Sequence, residues 1–447
     1  MKPILDWSVY RDAGMGDAYA DIPKSGGDFA RAVAVCINAR QCEKKGKGVM
    51  CPSYRVSDSP ALSTGGRVRL LKQALNGKLS IADHALAEAM ELCLACKGCK
   101  RECENEVDMA MIKIEYLAQR YLQQTPSPRT RMLAAMPQLL ERHAWMQRLI
   151  SLRNKHALLA RAGEMFAGIS ADVSVPEAAI QSYAMQNSAT QVEPVPPTTQ
   201  FQAEVVLLLD SFSNHFAPQN ISAAKKVLEM AGYRVFISRA EIGELPLCCG
   251  RTQLAHGLVD DARANAKRML AALLPHVEAG RTVIGLEPAC LLAVRDDYRF
   301  LGLGEGAEQV AAASLLFEEF IARESVAGRF KLAFAPVASP TPLLIHGHCH
   351  QKAVGAMKSM RRVLKLIPGL QFDIIDSTCC GMAGSFGIEK EHVAMGRAMA
   401  EESLLPALRA SPTAGIVANG FSCRHQINAC EQREAKHLAV LLCEQLA

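Results

Sequence analysis

Aromatic side chains are scarce: 14 Phe, 8 Tyr and 2 Trp make up 5% of the 447 residues. So few rings supply no platform for stacking bases. A formal net charge of only +5 lays down no basic footprint for nucleic acid. No stretch approaches the ~18 uninterrupted apolar residues that a membrane-spanning helix needs. The opening Met1-Lys2-Pro3-Ile4-Leu5-Asp6-Trp7 has no apolar run before a small-residue cleavage site. A Gly-rich dinucleotide fingerprint is also missing. The expectation is a cytoplasmic protein with at most peripheral contact at the inner face of a membrane. Hydrophobic content of 49% and charged content of 21% suit a soluble globular chain, long enough for two or three domains.

Cysteine is what the chain has in quantity, sixteen in all. In a reducing cytosol, clustered cysteines are metal ligands or redox groups rather than disulfide staples. The densest group reads Cys93-Leu-Ala-Cys96-Lys-Gly-Cys99-Lys-Arg-Glu-Cys103. Three thiolates at this spacing wrap an iron–sulfur cube, and a fourth is sent to another site, an arrangement for moving single electrons. A zinc knuckle also uses C-x2-C pairs, but four cysteines within eleven residues favour iron–sulfur.

When two such runs occur together, the last cysteine of each serves the other's cluster. A degenerate second run precedes the first: Cys36-Ile-Asn-Ala39-Arg-Gln-Cys42, then Cys51-Pro52. The expected partition is Cys51, Cys93, Cys96 and Cys99 around one 4Fe-4S cluster. The second set is Cys36, Cys42 and Cys103, with Ala39 where a fourth ligand would stand and Glu104 where proline usually follows. Three thiolates leave three outcomes open: a three-iron cluster, a non-cysteine ligand, or an empty site.

Around these cysteines the sequence is helical. Gly66–Leu75 and Asp108–Leu122 repeat apolar residues at helical spacing. After Pro126, Pro128 and Pro137, a helix-forming stretch from Leu139 to Ala167 carries Arg142, Arg148, Arg153, Lys155 and Arg161, with Trp145 among its apolar residues. Such a helix can lie on an acidic partner or a membrane surface, but a solvated connector is the expectation. Gln186–Gln200, with three prolines, reads as a linker.

From Phe201 the pattern turns α/β. Buried-strand runs occur at Val205–Leu209, Thr282–Leu286, Leu343–Ile345 and Gly415–Ala418, with helical stretches at Asp260–Leu274 and Val393–Leu408. The two halves repeat a motif. Leu247-Cys248-Cys249-Gly250 precedes a strand that leads to Cys290, and Thr378-Cys379-Cys380-Gly381 precedes a strand that leads to Cys423. Open α/β sheets place their sites at strand C-termini. The second half would gather Cys349, Cys379, Cys380 and Cys423 for a cluster or a metal. The first offers Cys248, Cys249 and Cys290, with His215 or Asp210 as further ligands. His346, His348 and His350 lie beside Cys349, while Cys430 and Cys443 read as ordinary buried residues.

These phrases, with Gly48-Val-Met-Cys51-Pro-Ser-Tyr54, Thr64-Gly-Gly-Arg67-Val-Arg-Leu-Leu71 and Cys379-Cys-Gly-Met-Ala-Gly-Ser-Phe-Gly387, resemble the iron–sulfur oxidoreductases with paired Cys-Cys-Gly domains. That group includes the iron–sulfur subunits of glycolate oxidase and anaerobic glycerol-3-phosphate dehydrogenase. The C-terminal half of FAD-linked D-2-hydroxyacid dehydrogenases is similar, and the same domains occur in the catalytic subunit of heterodisulfide reductase. The resemblance implies a helical ferredoxin-type domain over residues 1–125 and a connector over 126–200. Two repeated, Rossmann-like α/β Cys-Cys-Gly domains then cover 201–330 and 331–447. It also implies an oxidoreductase subunit that needs a flavoprotein partner, with FAD on that chain. Electrons would pass to a quinone or a carrier protein. The alternatives are a thiol–disulfide reductase acting at Cys379–Cys380 and a zinc-stabilised or redox-sensing scaffold.

Overall fold

In the computed structural model the described residues are 1–15, 21–46, 48–142, 144–187, 201–240, 245–337 and 342–447. The cysteine-bearing first block is helical, and its helices start where side chains can satisfy their first N–H groups. Ser63 accepts from Gly66 N at the head of Thr64–Leu75, and Asp83 caps His84–Glu91. Asp108 accepts from Met111 N at the start of Met109–Tyr121. Val68, Leu71 and Leu75 recur at helical spacing and are buried on one face, which is what binds Thr64–Leu75 to the block. Arg67, on the same helix, is buried too. Its Nε donates to Ala89 O and its Nη2 to Ser53 Oγ, tying three segments together.

The basic stretch forms three successive helices, Pro128–Arg142, Ala144–Lys155 and Ala157–Ala167, with Pro137 inside the first. The two later helices expose apolar side chains to an extent that a solvated connector does not need. Leu158 is 79% exposed, Met165 69% and Phe166 81%. The linker expected at Gln186–Gln200 lies, beyond Asn187, outside the described residues.

Two parallel sheets follow. The first contains β1 (Ala203–Leu207), β2 (Tyr233–Ile237), β3 (Thr282–Gly285) and β4 (Ser314–Leu316) in the order β2-β1-β3-β4. The second contains β5 (Leu343–Ile345), β6 (Phe372–Ile374) and β7 (Gly415–Val417) in the order β6-β5-β7. In both, the earliest strand is flanked by the next two, so the second sheet repeats the first three strands of the first. Every pairing is parallel.

Strand residues alternate between faces, and here the two faces serve different cores. Val206 and Leu208 pack with the helical block, while Val205 and Leu207 share a core with Ile345 and Val417 of the second sheet. Leu344 and Ile416 face a third cluster that contains Cys379, Cys380 and Cys423. The sheets therefore pack through β1 and place the cysteine turns near the helical block.

Candidate metal centres

Cys51, Cys93, Cys96 and Cys99 line one small pocket, together with Thr64, Arg67 and Lys97. All four thiols are buried. The loop that carries three of them has left-handed residues at Ala95 (φ 50°) and Lys97 (φ 61°). Alternation of this kind turns successive backbone N–H groups towards one concavity. Cys51 is itself left-handed (φ 53°) and precedes the helix Pro52–Ser57. Its loop is held to the run by Glu102, which accepts from Val49 N at 2.7 Å and Met50 N at 2.9 Å. The two segments approach so closely that a Cβ on Gly98 would lie 3.0 Å from Met50 N.

Thr64 donates its backbone N–H to Cys51 Sγ at 3.1 Å, and its hydroxyl lies 3.0 Å from the same sulfur. Burial and the neighbouring Cys93 push the Cys99 thiol up to about 12. Buried thiolates need a cation to share their charge, and four around one cavity are the donor set that an iron–sulfur group uses. Lys97 is also buried and pairs with Asp297 and, at 3.7 Å, with Asp296.

The second set has the same backbone. Left-handed Asn38 (φ 61°) and Arg40 (φ 55°) stand two and four residues after Cys36, as Ala95 and Lys97 do after Cys93. Ala39 thereby occupies the position of Cys96. Cys36 interacts electrostatically with Cys42 and Cys103, and burial raises its thiol. Cys42 receives Gly65 N–H at 3.3 Å and is lowered to about 6, chiefly by a hydrogen bond with Cys51. The two sets thus touch through Cys42 and Cys51.

In the second α/β half, the thiols of Cys349, Cys379, Cys380 and Cys423 hydrogen-bond in succession. The Cys-Cys turn is closed by Gly381 (φ 81°), where any Cβ would collide with the carbonyl of Gly396. His346, just after β5, brings its ring within 4.8 Å of the Cys380 and Cys423 sulfurs. Ser377 Oγ holds its Nδ1 at 2.9 Å, while the buried Nε2 has no protein partner. Burial, with Lys352 beside it, keeps His346 well below its ordinary range and therefore neutral. Lys352 donates to Ser377 Oγ at 2.9 Å and to Thr378 O at 3.3 Å, within the field of all four thiols. Neither His346 nor Lys352 stood among the ligand candidates. Lys352 follows Cys349 by three residues on one short helix, a spacing that could have revealed it.

This turn packs directly on the first set. His350 Nε2 lies 3.1 Å from Ala95 O, and Cys349 adds to the burial that raises the Cys96 thiol.

In the first α/β half, Cys249 contacts both Cys248 and Cys290, and Tyr298 Oη donates to Cys249 O at 3.0 Å. Asp210 uses its carboxylate to cap the helix Ser211–His215 and accepts from Ser213 Oγ. His215 ends that helix with Nε2 3.0 Å from the Asn214 amide. Among the described residues, no helix is long and apolar enough to cross a membrane.

No family model matches the chain. Curated relatives do. D-2-hydroxyglutarate dehydrogenase of Escherichia coli is 24% identical over 369 residues, 81% of this chain and 35% of its own length. One of the subunits of anaerobic glycerol-3-phosphate dehydrogenase from the same organism is 28% identical over 255 residues, 56% of this chain and 60% of its own. The chain thus spans about a third to three-fifths of the length of these two relatives. The glycolate oxidase iron-sulfur subunit of E. coli is 22% identical over 410 residues, covering 87% of this chain and 89% of its own length. All three are named as oxidoreductases or parts of them, which supports an oxidoreductase role for this chain.

Proposed function

We propose that this chain is the iron–sulfur electron-transfer component of an FAD-linked 2-hydroxyacid dehydrogenase of D-lactate, glycolate or D-2-hydroxyglutarate type. The observation that carries the reading is the convergence of Cys51, Cys93, Cys96 and Cys99 on one buried cavity. A 4Fe-4S cluster bound there supplies reversible one-electron storage. The chain's residues do the rest. Four thiolates ligate, Thr64 N–H stabilises the charge on the Cys51 sulfur, and burial excludes water; these are the levers that set a reduction potential. The packing of the helix Cys349–Ala353 on the helix Gly98–Glu102, with His350 Nε2 3.1 Å from Ala95 O, gives electrons a packed route towards the second Cys-Cys-Gly turn.

The flavin that takes electrons from substrate resides on a partner chain, in keeping with relatives named as subunits. A quinone or a carrier protein accepts them. Exposed Leu158, Met165 and Phe166, with exposed Arg148, Lys155 and Arg161 on the same pair of helices, suit peripheral contact with an anionic membrane surface. The helical ferredoxin-type block (1–125), the connector (126–200) and the two Cys-Cys-Gly units (201–330, 331–447) are the domains of this reading.

Two rivals are less well supported. Zinc needs ligands about 2.3 Å from one ion, so its thiolates crowd within about 4 Å of one another. Among the described residues, the group with ligating atoms within 4.8 Å of one another is His346, Cys380 and Cys423, not the first set. Disulfide exchange at Cys379–Cys380 needs an accessible thiolate, whereas both of those thiols are buried.

The test is anaerobic mixing of the reconstituted chain with an FAD-containing dehydrogenase and each candidate hydroxy acid. Bleaching of the iron–sulfur absorbance is expected, and Cys96→Ser should remove most of the first cluster's absorbance. Full iron retention in that variant, or clusters that no flavoprotein–substrate pair reduces, would overturn the reading.

A further inference from the structure

The repeated backbone of the two cysteine loops says more than their sequences do. Each places its outer cysteines six residues apart, with left-handed residues at the same two intermediate positions. The Cys36–Cys42 loop therefore shares the left-handed positions of the Cys93–Cys99 loop but has one thiol fewer. The loops differ in exposure at the variable position: Cys96 and Lys97 are buried, whereas Ile37, Asn38, Ala39 and Arg40 are exposed. The corner lacking a thiol faces water.

A cubane held entirely by protein would need some other side chain to fill that corner, and the polar groups around it are engaged elsewhere. Asn38 Oδ1 accepts from Arg69 Nη1 at 3.3 Å. Arg40 Nε donates to Glu43 Oε2 at 2.7 Å, and Glu43 Oε1 accepts from Ser63 Oγ at 3.1 Å. Gln41 Nε2 donates to Glu104 Oε1 at 3.5 Å. The thiols that remain are Cys36 and Cys42, with Cys103 arriving from the end of the other run.

Resting on the iron–sulfur reading above, we infer that Cys36, Cys42 and Cys103 hold a three-iron, four-sulfur (3Fe-4S) cluster whose open corner lies at Ala39. The chain then carries two unlike one-electron centres side by side, a cubane under the second Cys-Cys-Gly turn and a three-iron centre at the surface.

The experiment uses the full-length chain, purified and reconstituted without oxygen so that iron lost from a damaged cubane does not imitate the result. Electron paramagnetic resonance is recorded oxidised and reduced, with Mössbauer counting of iron, for the native chain, Ala39→Cys and Cys36→Ser. The native chain is expected to give a near-stoichiometric oxidised-state three-iron signal beside a reduced-state cubane signal. Cys36→Ser should lose the first and keep the second. Ala39→Cys, at an exposed position, should exchange the three-iron signal for a second cubane and bind one more iron. Two cubanes in the native chain would overturn the inference, as would a single cubane with no iron gained in Ala39→Cys. Either result would leave the electron-transfer reading intact. Absence of any iron-based signal would sink both.

Discussion

His437 shows how one side chain couples the fold to proton concentration. Its Nδ1 accepts the Ala439 N–H at the head of the helix Leu438–Glu444, and its Nε2 faces Leu286 O at 3.2 Å across the boundary between the sheets. Only the neutral ring with a proton on Nε2 satisfies both contacts. Burial, with Arg424 nearby, lowers its pKa from 6.5 to about 3. The unfolded chain therefore binds a proton between these values that the folded chain refuses. The stability this residue contributes is complete above about pH 6.5 and falls by about 1.4 kcal/mol per pH unit below it. Asparagine retains a capping acceptor without the titration. Chemical denaturation between about pH 5 and about 6.5 should thus show a shallower loss in His437→Asn than in the native chain. Equal slopes would refute the assignment.

Among elements, the three helices after Pro128 carry the plainest conflict between pattern and environment. A connector facing water would present its charges, yet Leu158 and Phe166 are largely exposed, at 79% and 81%. Contiguous exposed apolar area ordinarily marks an interaction surface. Co-sedimentation with phosphatidylglycerol vesicles should fall several-fold in Leu158→Glu/Phe166→Glu. A native chain that does not sediment with them would remove the membrane from the proposal. The helices Thr64–Leu75 and Met109–Tyr121 and the strands β1, β3, β5 and β7 were legible because their apolar periods are long or uninterrupted. Strands β4 and β6 are no shorter than β5 and β7, but Ser314 opens β4 and Asp373 interrupts β6, so neither reads as an apolar run. The helix expected over 393–408 is in fact two, Val393–Glu401 and Leu404–Ala410, because the backbone leaves the helical region at Ser403 (φ −158°). Cysteine spacing exposed the candidate centres, but the groups around them come from remote segments. Thr64 reaches the Cys51 sulfur and His346 faces Cys380, contacts that only folding creates.

At the scale of the whole molecule, the cavity of Cys51, Cys93, Cys96 and Cys99 is clamped from both α/β halves. Asp297 of the first half pairs with Lys97 and, at 3.6 Å, with Arg251. His350 of the second half rests on Ala95 O. A buried ion pair of this kind adds little net stability but is costly to break, so it favours one arrangement of the parts. The three relatives match between 56% and 87% of this chain.

That clamp sets an order of events during biogenesis. Iron and sulfide reach four thiols enclosed by their neighbours only while the α/β halves stand away from the cysteine loop, so delivery belongs to an open state, on first folding as on reconstitution. Chain made under iron starvation should then be caught partly open. Limited proteolysis should cut it faster around residues 93–103 and 346–350 than the iron-replete protein. Identical digestion of the two would mean that the enclosure forms without its cargo and that loading proceeds by some later opening.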